Sequence, residues 1–444
     1  MHIILEWKGY LMREILNINK GWKFSKGVSS VPSELSDDWQ DVDLPYTWNG
    51  DDGQDGGNDY YRGKGYFAKI LTKDKMPQGE EIYIQLDGVN STAEVYFNGK
   101  KLCEHNGGYS AFRVKLDDIK DENLLVVTAD NSPNDYVYPQ VADFTFYGGI
   151  YREVKLIGVS KNHFDLDFFG STSLAVTPVI SGNDAKITLD AYCDGEVEFE
   201  IDDGNEVVAK AKVSGKNPSA VLEIKDVHLW DGVDDPFLYN ASAKLIVDGQ
   251  VADEVKSRFG CRTFEIDAQK GFILNGRPYP LRGVSRHQDR PHIGNALLPE
   301  HHKEDMDLIC EMGANTIRLA HYQHAQYFYD LCDERGIIVW AEIPYISKHL
   351  EKGVENTISQ MKELIFQNYN HPSIVVWGLS NEISMGGATP AIVQNHKMLN
   401  DLVHSIDKTR PTTEAVLTAC NINEEYVHIS DVLSYNHYFG WYGG

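Results

Sequence analysis

One stretch constrains the fold of this chain more than any other, and it runs from His371 to Glu382. Its middle part, residues 374–377, reads Ile-Val-Val-Trp, and its end, residues 378–382, reads Gly-Leu-Ser-Asn-Glu. A short apolar block without alternation is typical of a parallel strand that is covered on both faces. A Gly-rich loop follows at residues 385–387. The stretch therefore predicts a buried strand that ends in an amide and a carboxylic acid.

The place of Asn381 and Glu382 at the end of this strand indicates a chemical role. In a barrel of eight βα units, functional side chains lie at the C-terminal ends of the strands. The other interpretation is that Glu382 only caps the helix that follows it. Motifs elsewhere in the chain favour the first interpretation, so we take Glu382 as a candidate catalytic acid.

Length and charge limit the classes of protein to consider. With 444 residues and 42% hydrophobic content, the chain can bury several cores, and its length predicts two to four domains. The 41 Lys and Arg residues against 66 Asp and Glu residues result in a formal net charge of -25. This charge argues against nucleic acid or an anionic membrane as a partner, and it mildly disfavours acidic substrates. The other interpretation is a solvated acidic surface.

Cysteine usage and the N-terminus bear on the cell compartment. The six cysteines are scattered without CxxC pairs, which predicts reduced core thiols and neither a zinc site nor a disulfide framework. The first eight residues lack a basic region and a small-residue cleavage site, and no later run approaches membrane-spanning length. We therefore expect a cytoplasmic protein.

Two β-rich regions precede a βα region. Residues 12–158 contain short alternating segments between turns, which is the pattern of an antiparallel β-sandwich, and Asn98-Gly99 predicts a type I′ hairpin turn inside it. Residues 159–265 have turn spacing typical of an immunoglobulin-like sandwich, and we expect Trp230 to pack at its edge and not to bind ligand.

Residues 266–444 alternate between strand and helix patterns, which is typical of βα units and a parallel sheet. We predict strands at 279–284, 315–319, 337–342, 374–379, 413–417 and 432–436, with helices at 300–312, 325–335, 354–369 and 391–406. These are six of the eight strands that a (β/α)8 TIM barrel requires. The predicted fold is multidomain: a β-sandwich, an immunoglobulin-like sandwich and an incomplete barrel.

Several motifs resemble those of glycoside hydrolase family 2, which contains β-galactosidases, β-glucuronidases and β-mannosidases. They are Ser-Asn-Glu at 380–382, Tyr-Pro-Leu-Arg-Gly-Val-Ser-Arg-His at 279–287, Asn-Thr-Ile-Arg-Leu-Ala-His-Tyr at 315–322, and Ala-Asp-Phe-Thr-Phe-Tyr-Gly-Gly-Ile-Tyr-Arg at 142–152. The resemblance covers nearly the whole chain, and it implies that the first domain is a jelly-roll-like sugar-binding domain.

The resemblance also implies a mechanism. Glu382 would be the acid/base of a retaining double displacement, and Asn381 would hydrogen-bond the sugar 2-hydroxyl. The nucleophilic glutamate of the family ends strand seven, which would lie beyond residue 444. The chain alone is therefore expected to lack full activity, and a carbohydrate-binding role without catalysis stays open.

The remaining candidates surround these two residues. By resemblance, His287 and His321 contact substrate, Arg318 polarises the nucleophile, and Glu342 belongs to the supporting shell of the pocket. His287 could instead be an ordinary loop histidine, and Glu342 a buried structural partner of Arg318 or His321. Where some bacterial β-galactosidases have a magnesium ligand, this chain has Ile346, which cannot bind a hard cation, so we predict no metal and no cofactor.

Two further candidates come from the resemblance, each with a structural alternative. Asp143 would accept hydrogen bonds from sugar hydroxyls, or it caps a turn. Tyr438 would orient the nucleophile, or it is a core aromatic. In the Gly-rich loop at 52–63, Asn58 or Asp59 could approach the pocket, with a plain flexible turn as the equal alternative.

The expected substrate is a terminal β-D-galactoside, because the sequence motifs at 143–149 and 285–290 resemble those of β-galactosidases and no basic cluster for a glucuronide carboxylate is present. β-Glucuronidase is the first alternative, followed by β-mannosidase. The expected partners are a small or oligosaccharide β-glycoside and, as the family allows, further copies of the chain.

Overall fold

A computed structural model describes residues 12–28, 30–57, 59–385 and 387–440 of the chain. The predicted architecture is confirmed: two β-sandwiches are followed by a parallel sheet with helices. Among the described residues, no helix is both long and apolar enough to cross a membrane.

The first sandwich contains strands β1 to β12. Its sheets have the orders β1-β12-β5-β9, β3-β2-β4-β10-β7-β8 and β11-β6, and every pair in them is antiparallel. Strand β1 is exposed at all four positions, whereas the other strands contribute residues to a shared core. The strands span Glu14–Asn17, Trp22–Lys26, Gln40–Val42, Lys64–Thr72, Glu81–Leu86, Val89–Asn90, Thr92–Phe97, Lys100–Asn106, Phe112–Leu116, Glu122–Asp130, Gly149–Ile150 and Val154–Val159.

The second sandwich packs a sheet of order β13-β14-β17 against one of order β16-β15-β18-β19. Strand β17 shows the pattern clearly, because its residues alternate between exposed and buried along its whole length. These strands, β13 to β19, span Leu174–Ser181, Asp184–Ala191, Asp194–Asp202, Val207–Lys216, Ser219–Ile224, Tyr239–Val247 and Gln250–Phe259.

The third region begins with a small sheet, β20 to β22, at Phe264–Asp267, Gly271–Leu274 and Arg277–Pro278. A parallel sheet then runs in chain order from β23 to β28, at Gly283–Arg286, Thr316–Leu319, Ile338–Glu342, Ile374–Asn381, Thr412–Leu417 and Val432–Asn436. Helices α1 to α4 span Pro299–Glu311, Gln326–Arg335, Val354–Asn368 and Pro390–Ile406.

The strand on which the sequence analysis started, β26, is buried at all eight positions, as a strand covered on both faces should be. Trp377 of β26 belongs to the same apolar cluster as Leu399 and Val403 of α4, on the face of the sheet that the helices cover. Because successive side chains point to opposite faces, this arrangement leaves the other face of β26 for the barrel interior.

The first predicted barrel strand, 279–284, is wrong in its bounds. Strand β23 begins only at Gly283, and Tyr279 instead packs with Trp230, Phe272 and Leu274 in a cluster beneath the sheet. Of residues 279–282 only Tyr279 is buried, and Trp230 of the second sandwich buries it, which the pattern of so short a segment does not predict.

Trp230 joins the second sandwich to the barrel. It is fully buried, its backbone N–H donates to the carbonyl of Cys261, and its indole N–H donates to the carbonyl of Asp333 at the end of α2, at 2.9 Å. It also packs with Ile338 of β25 and Val376 of β26. The side chain is therefore a packing residue between two domains.

We expect Trp230→Ala to lower the free energy of unfolding by about 3–5 kcal/mol, because the change leaves a large cavity between the sandwich and the barrel. Urea denaturation followed by tryptophan fluorescence and circular dichroism measures the effect. Val233→Ala is the matched control, because Val233 is 45% exposed in the neighbouring turn. Equal stability of the two variants would contradict this role of Trp230.

Candidate active site

The candidate site is built from the C-terminal ends of neighbouring parallel strands. Arg318 lies near the end of β24, Glu342 ends β25, Asn381 ends β26, and Asn436 ends β28. Because β23 to β28 are parallel, the ends of these strands meet at one edge of the sheet. Side chains that are more than 100 residues apart in the chain thus come into contact.

Arg318 is the centre of the network. Its Nε and one terminal nitrogen donate to the two carboxylate oxygens of Glu342, at 2.9 and 3.1 Å. The terminal nitrogens also donate to Oδ1 of Asn381 at 2.8 Å and to Oδ1 of Asn436 at 3.1 Å. The forked guanidinium therefore holds the ends of three other strands in one geometry.

Glu342 is the buried anion that balances this cation, with a side chain that is 0% exposed. Its other partner is His321, whose Nδ1 lies 2.5 Å from Oε1. Burial acts to raise the pKa of Glu342, but the charges of Arg318 and His321 outweigh it and hold the pKa below its usual value. Glu342 is thus an ionised partner of both predicted neighbours, which is the structural alternative that the sequence left open.

Glu382 follows β26 with a backbone φ of +49°, a left-handed conformation that non-glycine residues rarely adopt. Its N–H donates to the carbonyl of Ala415 in β27 at 2.8 Å, which anchors the turn. Strain of this kind costs of the order of 1–3 kcal/mol and concentrates at functional sites. The backbone therefore turns the Glu382 side chain out of the strand direction.

One oxygen of the Glu382 carboxyl is held and the other is available. Nδ2 of Asn436 donates to Oε1 of Glu382 at 2.8 Å and also to Oδ1 of Asn381 at 3.0 Å. Among the described residues, Oε2 of Glu382 has no hydrogen-bond partner. Since Oδ1 of Asn381 accepts from both Arg318 and Asn436, the amide N–H groups of Asn381 stay available to a ligand. This arrangement can offer a proton and an adjacent hydrogen-bond donor to one ligand.

A loop of the first sandwich reaches the same site. The ring of Phe144 lies 4.9 Å from that of His287 and 6.2 Å from that of His321, measured between ring centres. Nδ1 of His287 is hydrogen-bonded to the hydroxyl of Tyr322 at 3.1 Å. The aromatic wall of the site therefore combines the sandwich with the ends of β23 and β24.

His287 is neutral at physiological pH. Burial lowers the pKa of His287 to about 4, and the charge of His321 acts in the same direction, while Asp289, Asp143 and Glu342 oppose the shift. A neutral imidazole can accept or donate a hydrogen bond to a sugar hydroxyl but carries no charge to the site.

The predicted residues differ in how firmly the structure connects them. It brings Arg318, His321, Glu342, Asn381 and Glu382 into one network, while His287 contacts this group through ring packing. Asp143 is exposed, and it is connected to the group only by the effect of its charge on His287. Tyr438 is 46% exposed beyond β28, so its role near the nucleophile stays a prediction. Asn58 lies outside the described residues, and Asp59 remains an untested candidate.

Two residues of the site escaped the sequence analysis. Asn436 was passed over for Tyr438, although its place at the end of the last predicted strand was the same signal that marked Asn381. Phe144 was treated as part of the Asp143 motif, and only the structure shows its ring against His287 and His321.

One group of the described residues has the spacing of metal ligands, and it lies elsewhere. Ligand atoms of Asp330, Asp333 and His371 are within 4.8 Å of one another, near the start of β26. Nδ1 of His371 lies 2.6 Å from Asp333. Burial acts to lower the pKa of His371, but Asp333 outweighs it and raises the pKa, so the group is explained by an ion pair.

We expect Arg318→Met to lower the free energy of unfolding by about 3–5 kcal/mol, because it leaves the buried Glu342 carboxylate without its main partner. Glu342→Gln in the same chain should recover part of the loss, so the double variant is more stable than the sum of the single changes predicts. Urea denaturation of the four forms measures this coupling. Strict additivity would contradict an ion pair at the centre of the site.

We expect the NMR titration of His287 to have a midpoint near pH 4. In the unfolded chain His287 binds a proton below about pH 6.5, whereas in the folded chain it does so only below about pH 4. The contribution of His287 therefore lowers the free energy of unfolding as the pH falls from 6.5 to 4. Asp143→Asn should lower the midpoint further, since it removes an opposing charge, while Asp37→Asn on the exposed surface should not. A midpoint near 6.5 would contradict the buried, neutral imidazole.

Comparison with known proteins places the whole chain in one family. Residues 5–159 match the glycosyl hydrolases family 2 sugar binding domain, residues 171–262 match glycosyl hydrolases family 2, and residues 264–444 match the glycosyl hydrolases family 2 TIM barrel domain.

Individual relatives agree with this result. A β-glucuronidase of Bacteroides fragilis is 40% identical over 98% of this chain, and the chain spans 65% of that protein. A β-galactosidase of Thermoanaerobacterium thermosulfurigenes is 32% identical over 90% of this chain, which spans 58% of it. The crystal structure of an FMN-binding β-glucuronidase from Facaelibacterium prausnitzii L2-6 superposes with a TM-score of 0.92 at 41% identity, covering 98% of this chain and 68% of that one. The chain belongs to glycosyl hydrolases family 2.

Proposed function

We propose that the protein containing this chain hydrolyses β-glucuronides, with Glu382 as the general acid and then the general base. The observation that carries the proposal is the Glu382 carboxyl at the end of β26, with Oε1 held by Asn436 and Oε2 directed to no described residue. In a retaining glycosidase such a group protonates the glycosidic oxygen and later deprotonates the attacking water. The chain spans 65% of the Bacteroides fragilis relative, so the proposal concerns the complete protein.

The surrounding side chains suit this role. Asn381 can donate to the sugar 2-hydroxyl, a contact that strengthens in the transition state. His287 and His321 offer further polar atoms beside the ring of Phe144, which can cover an apolar sugar face. Arg318 is occupied by Glu342, Asn381 and Asn436, so it acts by positioning and does not bind the substrate directly.

The choice of sugar rests on the relatives. The Bacteroides fragilis relative at 40% identity and the Facaelibacterium structure at 41% identity are β-glucuronidases, whereas the β-galactosidase is 32% identical. The higher identity to β-glucuronidases supports a glucuronide as substrate over the galactoside that the sequence motifs favoured. The β-galactoside stays the second candidate. Arg318 already donates to Glu342, Asn381 and Asn436, so a glucuronide carboxylate requires other residues to bind it, whereas a galactoside has no carboxylate.

The test compares kcat/KM of the complete protein for nitrophenyl β-glucuronide and nitrophenyl β-galactoside. We expect the glucuronide to be the better substrate; a preference for the galactoside would replace the first candidate by the second. Turnover of neither would contradict both.

We expect Glu382→Gln to lower kcat by about 10²–10⁴, because it removes the transferable proton. The loss should be greater for a phenyl than for a nitrophenyl glycoside, since the poorer leaving group depends more on protonation. Glu425→Gln is the matched control: Glu425 is exposed and pairs with Lys397 at the surface, so its change should leave kcat unaltered. Unchanged activity of Glu382→Gln would contradict the assignment.

A further inference from the structure

A buried polar group lies behind the end of β26, on the face of the sheet that the helices cover. It consists of Ser380 of β26, Glu414 of β27 and His396 of α4, which are 1%, 0% and 0% exposed. Val416, two residues after Glu414, belongs to the apolar cluster that includes α4, so the Glu414 side chain points to the same face. The proposed glycosidase chemistry uses none of these three polar side chains.

His396 holds Ser380 through one tautomer of its ring. Nδ1 of His396 lies 2.9 Å from the carbonyl oxygen of Ile392, which can only accept, so Nδ1 carries the proton of the neutral ring. Nε2 is then an acceptor, and Oγ of Ser380 donates to it at 2.7 Å. Both ring nitrogens are therefore occupied as long as the imidazole keeps this tautomer.

Glu414 has no comparable partner. Among the described residues, neither of its carboxyl oxygens has a hydrogen bond, and its one ion-pair contact is Nε2 of His396, 3.3 Å from Oε2. Glu342 is equally buried, but Arg318 donates two hydrogen bonds to it. A buried carboxylate without a cation or a donor is unfavourable, so Glu342 is ionised whereas Glu414 keeps its proton.

Three further titratable groups face Glu414, from the loop after β27 and from β28: Tyr426, Cys420 and Tyr435. Burial raises the pKa of each of them, so all three are neutral at physiological pH. The Tyr426 hydroxyl and the Cys420 thiol are also hydrogen-bonded to each other. These groups therefore supply no charge that could hold a carboxylate.

The groups that face His396 are likewise uncharged. The rings of Tyr345 and Tyr426 lie 5.5 and 5.7 Å from its ring, measured between ring centres, and His349 is hydrogen-bonded to the Tyr345 hydroxyl. Burial lowers the pKa of His396 to about 4, against the hydrogen bond to the Ile392 carbonyl, and His349 acts in the same direction as burial. The imidazole is therefore neutral above about pH 4.

The carboxyl of Glu414 follows the opposite direction. Burial raises the pKa of Glu414 to about 8, and the hydroxyl of Ser430 opposes this rise, although that hydroxyl donates to the carbonyl of Val432 at 3.2 Å. Between about pH 4 and 8 the pair thus has one proton on the Glu414 carboxyl, one on Nδ1 of His396, and no net charge.

Loss of the Glu414 proton changes the tautomer that His396 requires. The new carboxylate needs a donor, and Nε2 of His396 is its neighbour at 3.3 Å. Nε2 becomes a donor when the ring moves its proton from Nδ1, which breaks the bond to Ile392 and leaves Ser380 without its acceptor. One proton goes to solvent and one moves within the ring, so the pair changes from neutral to a single negative charge.

This pair lies directly behind the turn at Glu382. Ser380 is two residues before Glu382, and Glu414 directly precedes Ala415, whose carbonyl accepts from the Glu382 N–H. We propose that Glu414, as a neutral carboxylic acid, is a positioning residue: its proton keeps His396 bonded to Ser380, and this bond holds the turn that carries Glu382. The role toward Glu382 rests on the proposed function, whereas the protonation of Glu414 does not.

The protonation of Glu414 is tested without substrate, by urea denaturation of the complete protein at pH 5 and pH 8. The unfolded chain loses the Glu414 proton above about pH 4.5, whereas the folded chain keeps it up to about pH 8. The contribution of Glu414 therefore lowers the free energy of unfolding as the pH rises from 4.5 to 8.

Glu414→Gln keeps the size of the side chain and cannot ionise. We expect its urea midpoint, relative to that of the wild type, to rise between pH 5 and pH 8. Glu425→Gln is the matched control, because Glu425 is exposed and pairs with Lys397, so its relative midpoint should not change with pH. A relative midpoint of Glu414→Gln that is constant or falls would overturn the neutral acid.

The tautomer of His396 gives a second readout. In ¹⁵N NMR with labelled histidine, the His396 signals are those missing from His396→Gln. We expect the Nδ1–H form at pH 7 and the Nε2–H form at pH 9 in the wild type, and the Nδ1–H form at both pH values in Glu414→Gln. A doubly protonated ring at pH 7, or a wild-type tautomer that does not change, would overturn the proposal.

The role toward Glu382 is tested by kcat of the complete protein for the nitrophenyl glycoside that it hydrolyses better. We expect the ratio of kcat at pH 7 to kcat at pH 9 to be smaller in Glu414→Gln than in the wild type and Glu425→Gln, by about threefold or more, with KM unchanged. The pH dependence that Glu382 itself contributes is common to all three forms. Equal ratios would overturn the positioning role. If neither glycoside is turned over, the proposed function fails, and urea denaturation and NMR still decide the state of Glu414.

Discussion

The buried ion pair between Arg318 and Glu342 is the interaction on which the site depends. A carboxylate with 0% exposure is stable only if its charge is met at close range, and Arg318 meets it with two hydrogen bonds. The same guanidinium then has nitrogens left for Asn381 and Asn436. The requirement to balance one buried charge thus fixes the position of the amide that holds Glu382.

The parallel sheet makes this network possible. Helices α1 to α4 cover its outer face with a large apolar cluster, so the strands cannot slip without exposing that surface. Rigid strands keep their ends in register, and the polar groups at those ends can then be held to hydrogen-bond accuracy. The left-handed turn at Glu382 is stable in this setting because Ala415 of the neighbouring strand anchors its backbone.

The first sandwich takes part in the candidate active site. Its loop around Phe144 forms one wall of that site, against the ring of His287. The segment that continues from this loop, 145–152, includes Tyr147, Tyr151 and strand β11, which are buried. The wall of the candidate active site that the first sandwich provides is therefore attached to buried residues of that sandwich.

The sequence by itself determined the order of domains, the parallel βα pattern and the candidates Glu382, Asn381, Arg318, His321 and Glu342. Each of these followed from a local signal: an apolar run without alternation, a strand end, or a motif that resembles a known family. Local signals fail where a property depends on distant residues. Asn436 has the same local signal as Asn381, a place at a strand end, but what gives it a role is its contacts with Asn381 and Glu382, more than 50 residues away. The bounds of β23 were misjudged because Tyr279 is buried by Trp230 of another domain. The neutral state of His287 was likewise decided by the tertiary structure alone, because burial is a property of the packed chain.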